Sequence, residues 1–206
     1  MIPSLTAAAL ASHRAVGGRV VDVREPPMFA DSHVRGALNI ALSNRSAPYW
    51  LNALTRADEA IAVVTATRGE VDYAAELLAA SERVGSGGIA FDEDAFRSAG
   101  LPLATIRTIT PDELAAERTT ILDVRELDEW ISGHVPGATW IPLEELADRI
   151  AEVPAGPVAT ICASGFRSAA AASVLEAAGR DDLANVWGGT MAWMQLGLPL
   201  RQGSRP

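Results

Sequence analysis

Cysteine occurs once in the 206 residues, as Cys162, and lysine does not occur at all. One cysteine cannot close an internal disulfide, and a cysteine-rich zinc domain is excluded with it. All basic side chains are arginine, which rules out a lysine Schiff base or a lysine-dependent phosphate loop. The histidines, His13, His33 and His134, show no metal-ligand spacing. No apolar run has the length needed to span a bilayer. The segment 1–19 holds a short apolar stretch with no basic region before it, a poor signal peptide. These absences lead us to expect a cytoplasmic, reducing setting, with no metal or organic cofactor.

What is present supports a packed core. Hydrophobic residues make up 49% of the chain and charged residues 21%, with a formal net charge of −9. That acidity argues against nucleic acid or an anionic membrane as partner. It does not exclude a small anionic ligand, which responds to local field rather than net charge.

The chain repeats itself. "VVDVREPPMFADSHVRGALNIAL" (Val20 to Leu42) aligns with "ILDVRELDEWISGHVPGATWIPL" (Ile121 to Leu143), placing Asp22, Arg24 and His33 on Asp123, Arg125 and His134. Later, "AFRSAGLPL" (Ala95 to Leu103) answers "AWMQLGLPL" (Ala192 to Leu200). Matches at both ends of so long a unit imply duplication of a whole domain. We expect domains at 1–103 and 104–206, with the boundary near Gly100 to Ile106.

Short apolar, β-branched runs at Val20–Asp22, Ile61–Val64, Ile121–Asp123 and Val158–Ile161 read as buried strands. "TPDELAAE" reads as a helix capped by Thr110, with Pro111 in its first turn and Glu113 at the capping-box place. Leu143–Ile150 has helical spacing, and Ser168–Gly179 reads as a helix capped by Ser168 and stopped by glycine. "LANVWGG" is strand-like, "TMAWMQLG" helix-like, and the acidic "DEDAF" a helix start. Alternating strands and helices predict an α/β fold: two three-layer α/β/α domains, each with a mostly parallel central sheet.

Cys162 directly follows one predicted strand, and "CASGFR" leads from it into a helix. The thiol then lies at the carboxyl edge of a parallel sheet, where ligands bind. It also faces the positive end of a helix, which favours the ionised, nucleophilic form. Gly165 permits a tight curl that turns successive N–H groups inward as an anion nest. Arg167 adds a guanidinium suited to an anionic substrate. Ala163, Ser164, Gly165, Phe166 and Ser168 complete the predicted binding loop, with Phe166 placed to touch substrate.

The residues "DVRELDEWISGHVPGATWIPL", "CASGFRS" and "VWGGTMAW", in that order, resemble a tandem rhodanese, a sulfurtransferase with two rhodanese domains of the thiosulfate or 3-mercaptopyruvate type. The resemblance covers essentially the whole chain and is stronger in the second half. It implies that Cys162 takes the outer sulfur of a small anionic donor such as thiosulfate. The resulting persulfide, cradled by loop N–H groups, passes its sulfur to a thiol or cyanide. Cysteine phosphatases have a similar loop, but with one more residue between cysteine and arginine. Here Ala163, Ser164, Gly165 and Phe166 leave less room for a tetrahedral phosphate and suit a single sulfur atom, so phosphatase chemistry is the less favoured alternative. A non-catalytic persulfide-binding or interaction module is the other alternative.

The first half departs from this pattern. Aligning "YAAELL" (Tyr73 to Leu78) with "AAASVL" (Ala170 to Leu175) puts Thr65 opposite Cys162 and Glu70 opposite Arg167. Thr65 cannot carry a persulfide and Glu70 repels an anion, so the first domain is expected to be inactive, with a structural role covering the second and shaping one wall of its site. Asp22 and Arg24 persist in the half that lacks the cysteine. That marks them, with Asp123 and Arg125, as structural ion pairs rather than catalytic groups. His33 and His134 follow the same logic as hydrogen-bonded scaffold residues, and Trp140, Trp187 and Trp193 as core.

Overall fold

The computed structural model describes residues 2–117 and 119–203. The chain divides into two units, Met1–Thr105 and Ile106–Pro206. The first unit contains α1 (Ala7–Ala15), β1 (Arg19–Asp22), α2 (Pro26–Asp31), β2 (His33–Val34), β3 (Leu38–Asn39) and α3 (Ala47–Leu54). It continues with β4 (Ile61–Thr65), α4 (Val71–Ala80), β5 (Gly85–Ala90), α5 (Glu93–Ser98) and β6 (Leu103–Ala104). The second contains β7 (Arg107–Ile109), α6 (Pro111–Ala116), β8 (Thr120–Asp123), α7 (Leu127–Ser132) and β9 (Thr139–Trp140). It ends with β10 (Val158–Ile161), α8 (Phe166–Ala177), β11 (Leu183–Val186) and α9 (Gly189–Gln195).

Each unit is a three-layer α/β domain around a parallel sheet. The order is β3-β1-β4-β5 in the first and β7-β11-β10-β8-β9 in the second. Helices cover both faces, so the central strands read as continuous apolar runs rather than alternating ones. Every residue of β4, β10 and β11 is buried. In the second unit Ile109, Leu114, Val135, Ala159, Ile161, Ala184, Val186 and Trp193 form one core cluster.

The internal repeat is structural. Asp22 and Arg24 form a buried pair, with Arg24 also donating to the Ser32 carbonyl; Asp123 and Arg125 do the same with the Gly133 carbonyl. His33 Nδ1 meets the Phe29 carbonyl and stacks on that ring, while His134 does likewise with Trp130. His33 pairs antiparallel with Ala104, and His134 bridges Arg201 in the same sense. The ion pairs and histidines are therefore scaffold, tying the segments after β1 and β8 to the end of each repeat. Burial opposes the charge on Asp22 and raises its pKa, against the hydrogen bonds and charge of Arg24.

Two local expectations need correction. Leu143–Ile150 is no α-helix; it makes separate 3₁₀ turns at Leu143–Glu145 and Ile150–Glu152. Leu143 and Leu146 are fully buried, and Arg149 clips the turns together through Glu145 and Glu152 at 2.7 Å each. Ser168 is not a helix cap. The helix begins at Phe166, and its cap is Gly165, at φ +112°.

Candidate active site

In the second unit the chain runs from β8 outward to β9, then crosses back to β10 on the other side of β8. The carboxyl ends of β8 and β10 thus flank a topological switch point, the place where parallel sheets bind ligands. Cys162 follows β10 there, and Glu126 and α7 follow β8.

The Cys162 side chain is buried, with 1% of the residue exposed. Its sulfur accepts the Gly165 amide at 3.1 Å and lies 3.4 Å from the Ser168 hydroxyl. The amides of Ala163, Ser164, Phe166, Arg167 and Ser168 have no acceptor among the described residues. Cys162 therefore sits beside a run of unpaired N–H groups at the start of a long helix, an arrangement that favours negative charge.

Neighbouring elements hold the loop in shape. The Gly188–Gly189 turn docks on it: Gly188 N donates to Ser164 O, Thr190 N to Cys162 O and Met191 N to Ala163 O, at 2.8–3.1 Å. Gly189 has φ +55°, and a Cβ there would lie 2.2 Å from the Cys162 carbonyl oxygen. Gly165 lies against the half-buried Trp187 ring, 2.7 Å from where its Cβ would be. Trp187 is thus a cover over the loop, unlike the buried Trp140 and Trp193. Phe166 is half-buried beside it, with ring centroids 5.6 Å apart. Asn185 on β11 donates to Gly165 O at 3.2 Å and accepts from the Ser168 hydroxyl at 2.6 Å.

The Arg167 guanidinium does not stand alone in the loop. Its Nη1 and Nη2 donate to the two carboxylate oxygens of Glu129 on α7, at 2.6 and 2.7 Å. Glu126 lies 3.9 Å away. Burial works against the Arg167 charge, but Glu129, the Cys162 charge and Glu126 outweigh it and raise its pKa. Burial likewise opposes the Glu129 charge; Arg167, the Glu126 amide and Arg125 prevail and hold its carboxyl below the ordinary value. Burial pushes the Glu126 carboxyl up, with Arg167 opposing and Glu129, Asp128 and Glu145 reinforcing.

Glu129, Asn185 and the Gly188–Gly189 turn were missed by sequence reasoning. The repeat carried a signal for the first: where Glu70 replaces Arg167, Met28 replaces Glu129.

The first unit arranges the same positions differently. Thr65 is buried and its hydroxyl donates to Thr67 O at 2.8 Å. Glu70 folds back to accept the Ala66 amide at 2.9 Å, while the Glu70 amide donates to Thr67 O. A carboxylate of the chain itself takes up a loop N–H here.

The family model for the rhodanese-like domain matches residues 6–91 and again 110–196. The chain belongs to the rhodanese-like family, as two domains in tandem. Among its relatives, a sulfurtransferase of Allochromatium vinosum is 33% identical over 85 residues, 41% of this chain and 79% of that one. The HTH-type transcriptional regulator Rv0324 of Mycobacterium tuberculosis is 35% identical over 103 residues, 47% of this chain but only 45% of its own length. Among solved structures, the rhodanese-related protein of Thermoplasma volcanium is 34% identical with a TM-score of 0.45, covering 47% of this chain and 99% of that one. No helix among the described residues is long and apolar enough to cross a membrane.

Proposed function

We propose that the second domain is a sulfurtransferase that carries sulfane sulfur on Cys162, and that the first is catalytically inactive. The observation that carries this reading is the placement of the Cys162 sulfur at a loop whose amides, apart from Gly165, have no acceptor among the described residues. Membership in the rhodanese-like family supports it. So does the name of the Allochromatium relative, a sulfurtransferase.

In the first step the Cys162 thiolate attacks the outer sulfur of the donor. A new S–S bond forms, the donor's own bond to that sulfur breaks, and the leaving group departs with the electron pair. Thiosulfate would release sulfite; a hydropersulfide would release a thiolate. The loop N–H groups of Ala163, Ser164, Gly165, Phe166, Arg167 and Ser168 stabilise the persulfide anion. In the second step a thiol or cyanide attacks the carried sulfur and the Cys162 thiolate leaves. Neither step needs a general acid. The tight loop, with Trp187 and Phe166 above it, suits one added sulfur atom better than a tetrahedral phosphate.

Intact-mass spectrometry after exposure to sulfane-sulfur donors tests this. One added sulfur on the Cys162 peptide, discharged by cyanide with turnover and absent in Cys162→Ser, is the expected result. A stable persulfide without turnover would favour a non-catalytic carrier. Cys162-dependent hydrolysis of an aryl phosphate without sulfur loading would favour phosphatase chemistry.

A further inference from the structure

The loop N–H groups favour negative charge in general, and side-chain charge beside them sets how strongly a dianionic donor is preferred over a singly charged or neutral one. Every donor leaves the same persulfide on Cys162, so stabilisation of that product by the loop N–H groups does not distinguish them. Donors differ in what they bring with the sulfur. Thiosulfate arrives with two negative charges, whereas an alkyl hydropersulfide arrives with one or none.

Arg167 in the loop has Glu129 and Glu126 as carboxylate neighbours. Both terminal nitrogens of Arg167 are occupied by the two oxygens of Glu129, at 2.6 and 2.7 Å. The arginine side chain is only 17% exposed, so the pair is poorly screened by water and its two charges largely cancel. Glu126 adds a carboxylate at 3.9 Å. A dianion reaching Cys162 therefore meets a cluster with no net positive charge. Glu129 also anchors α7 through the Glu126 amide at 3.1 Å. A glutamine would keep an oxygen there, so the helix does not require the charge. The first unit supports a functional link, because arginine and carboxylate are replaced together, by Glu70 and Met28.

We propose that Glu129 is a donor-selecting residue: by holding Arg167 in a two-point ion pair it withholds the guanidinium from dianionic donors and favours uncharged or singly charged hydropersulfides. This rests on the sulfur-transfer reading of Cys162. The preferred reaction is attack of the Cys162 thiolate on the terminal sulfur of R–S–SH. It gives the Cys162 hydropersulfide and R–S⁻, with no external oxidant or reductant.

The test compares second-order rate constants for sulfur loading of Cys162, by rapid quench and intact mass, with thiosulfate and with 2-hydroxyethyl hydropersulfide. In Glu129→Gln the thiosulfate constant rises about tenfold relative to the hydropersulfide constant, the scale of one uncompensated charge near a partly buried site. In Glu129→Gln/Arg167→Gln the ratio returns to the wild-type value, because the freed guanidinium is gone. An unchanged ratio in the single variant overturns the proposal, as does a raised ratio that persists in the double variant. If the variants do not fold, a salt series on the wild-type protein decides. Thiosulfate loading that is flat or rises with ionic strength supports a committed Arg167, and a steep fall overturns it. Failure of both donors to load Cys162 removes the sulfur-transfer reading itself. Loading by both with an unmoved ratio removes only the role of Glu129.

Discussion

The Ser168 hydroxyl lies 2.6 Å from Asn185 Oδ1. The Asn185 amide is oriented by its other end, where Nδ2 donates to Gly165 O at 3.2 Å. The same hydroxyl is within donor reach of the Cys162 sulfur at 3.4 Å. Asn185 thus braces the loop and holds the hydroxyl beside the nucleophile. Asn185→Leu should destabilise the protein by about 1–3 kcal/mol, the cost of stranding buried hydrogen-bonding groups, and should slow sulfur loading. Urea unfolding and loading kinetics measure the two effects. Loading at the wild-type rate in a destabilised variant would show that the brace is structural only.

Gly189 touches the backbone that the nucleophile stands on. A Cβ there would come within 2.2 Å of Cys162 O and 2.6 Å of Ala163 C, both rigid main-chain atoms. Its φ of +55° adds backbone strain for any other residue. Gly189→Ala should therefore cost about 2 kcal/mol or more and increase alkylation of Cys162, as the docked turn lifts from the loop. Chemical denaturation with iodoacetamide labelling checks both; a stable variant with wild-type labelling contradicts the docking role.

Glu129 should leave a signature in acid. Its carboxyl is held below the ordinary value of 4.5 in the folded protein. A depressed carboxylate contributes stability above its unfolded value, and loses it as the pH falls through the folded value. The gap in thermal midpoint between wild type and Glu129→Gln should be widest near about pH 6 and close towards about pH 3. The carboxylates Glu93, Glu117 and Glu152, also depressed by arginine neighbours, are common to both proteins and cancel in the difference. A gap independent of pH would assign the Glu129 contribution to packing rather than charge.

Strand positions were legible because buried parallel strands leave continuous apolar runs, and Val158–Ile161 has the bounds its run suggested. The repeat made the scaffold legible too: Asp22, Arg24 and His33 persist without the cysteine, and their structure is that of ion pairs and hydrogen-bonded rings. What stayed hidden lies in contacts between residues distant in sequence. Nothing in "CASGFR" says that its arginine ends on Glu129, or that Asn185 reaches Gly165 O. The helix at Leu143–Ile150 failed for a related reason. Its apolar spacing fits a helix, but burial of Leu143 and Leu146 and the Arg149 clip hold tighter turns.

The two units give a last test, because they dress the same loop differently. The Ser168 and Asn185 positions are Val71 and Gly88 in the first, and a Cβ on Gly88 would lie 2.6 Å from Val71 Cγ1. An apolar contact replaces the polar brace, and Glu70 occupies the Ala66 amide. If an open amide cradle is what permits sulfur carriage, a thiol alone is not enough. Thr65→Cys in a Cys162→Ser background should therefore take up no sulfur from thiosulfate or from a hydropersulfide, although its thiol would stand at the carboxyl end of β4, as Cys162 stands just after β10. Intact mass and peptide mapping measure this directly. Sulfur found on the residue 65 peptide would mean that strand placement suffices and that the loop amides are dispensable.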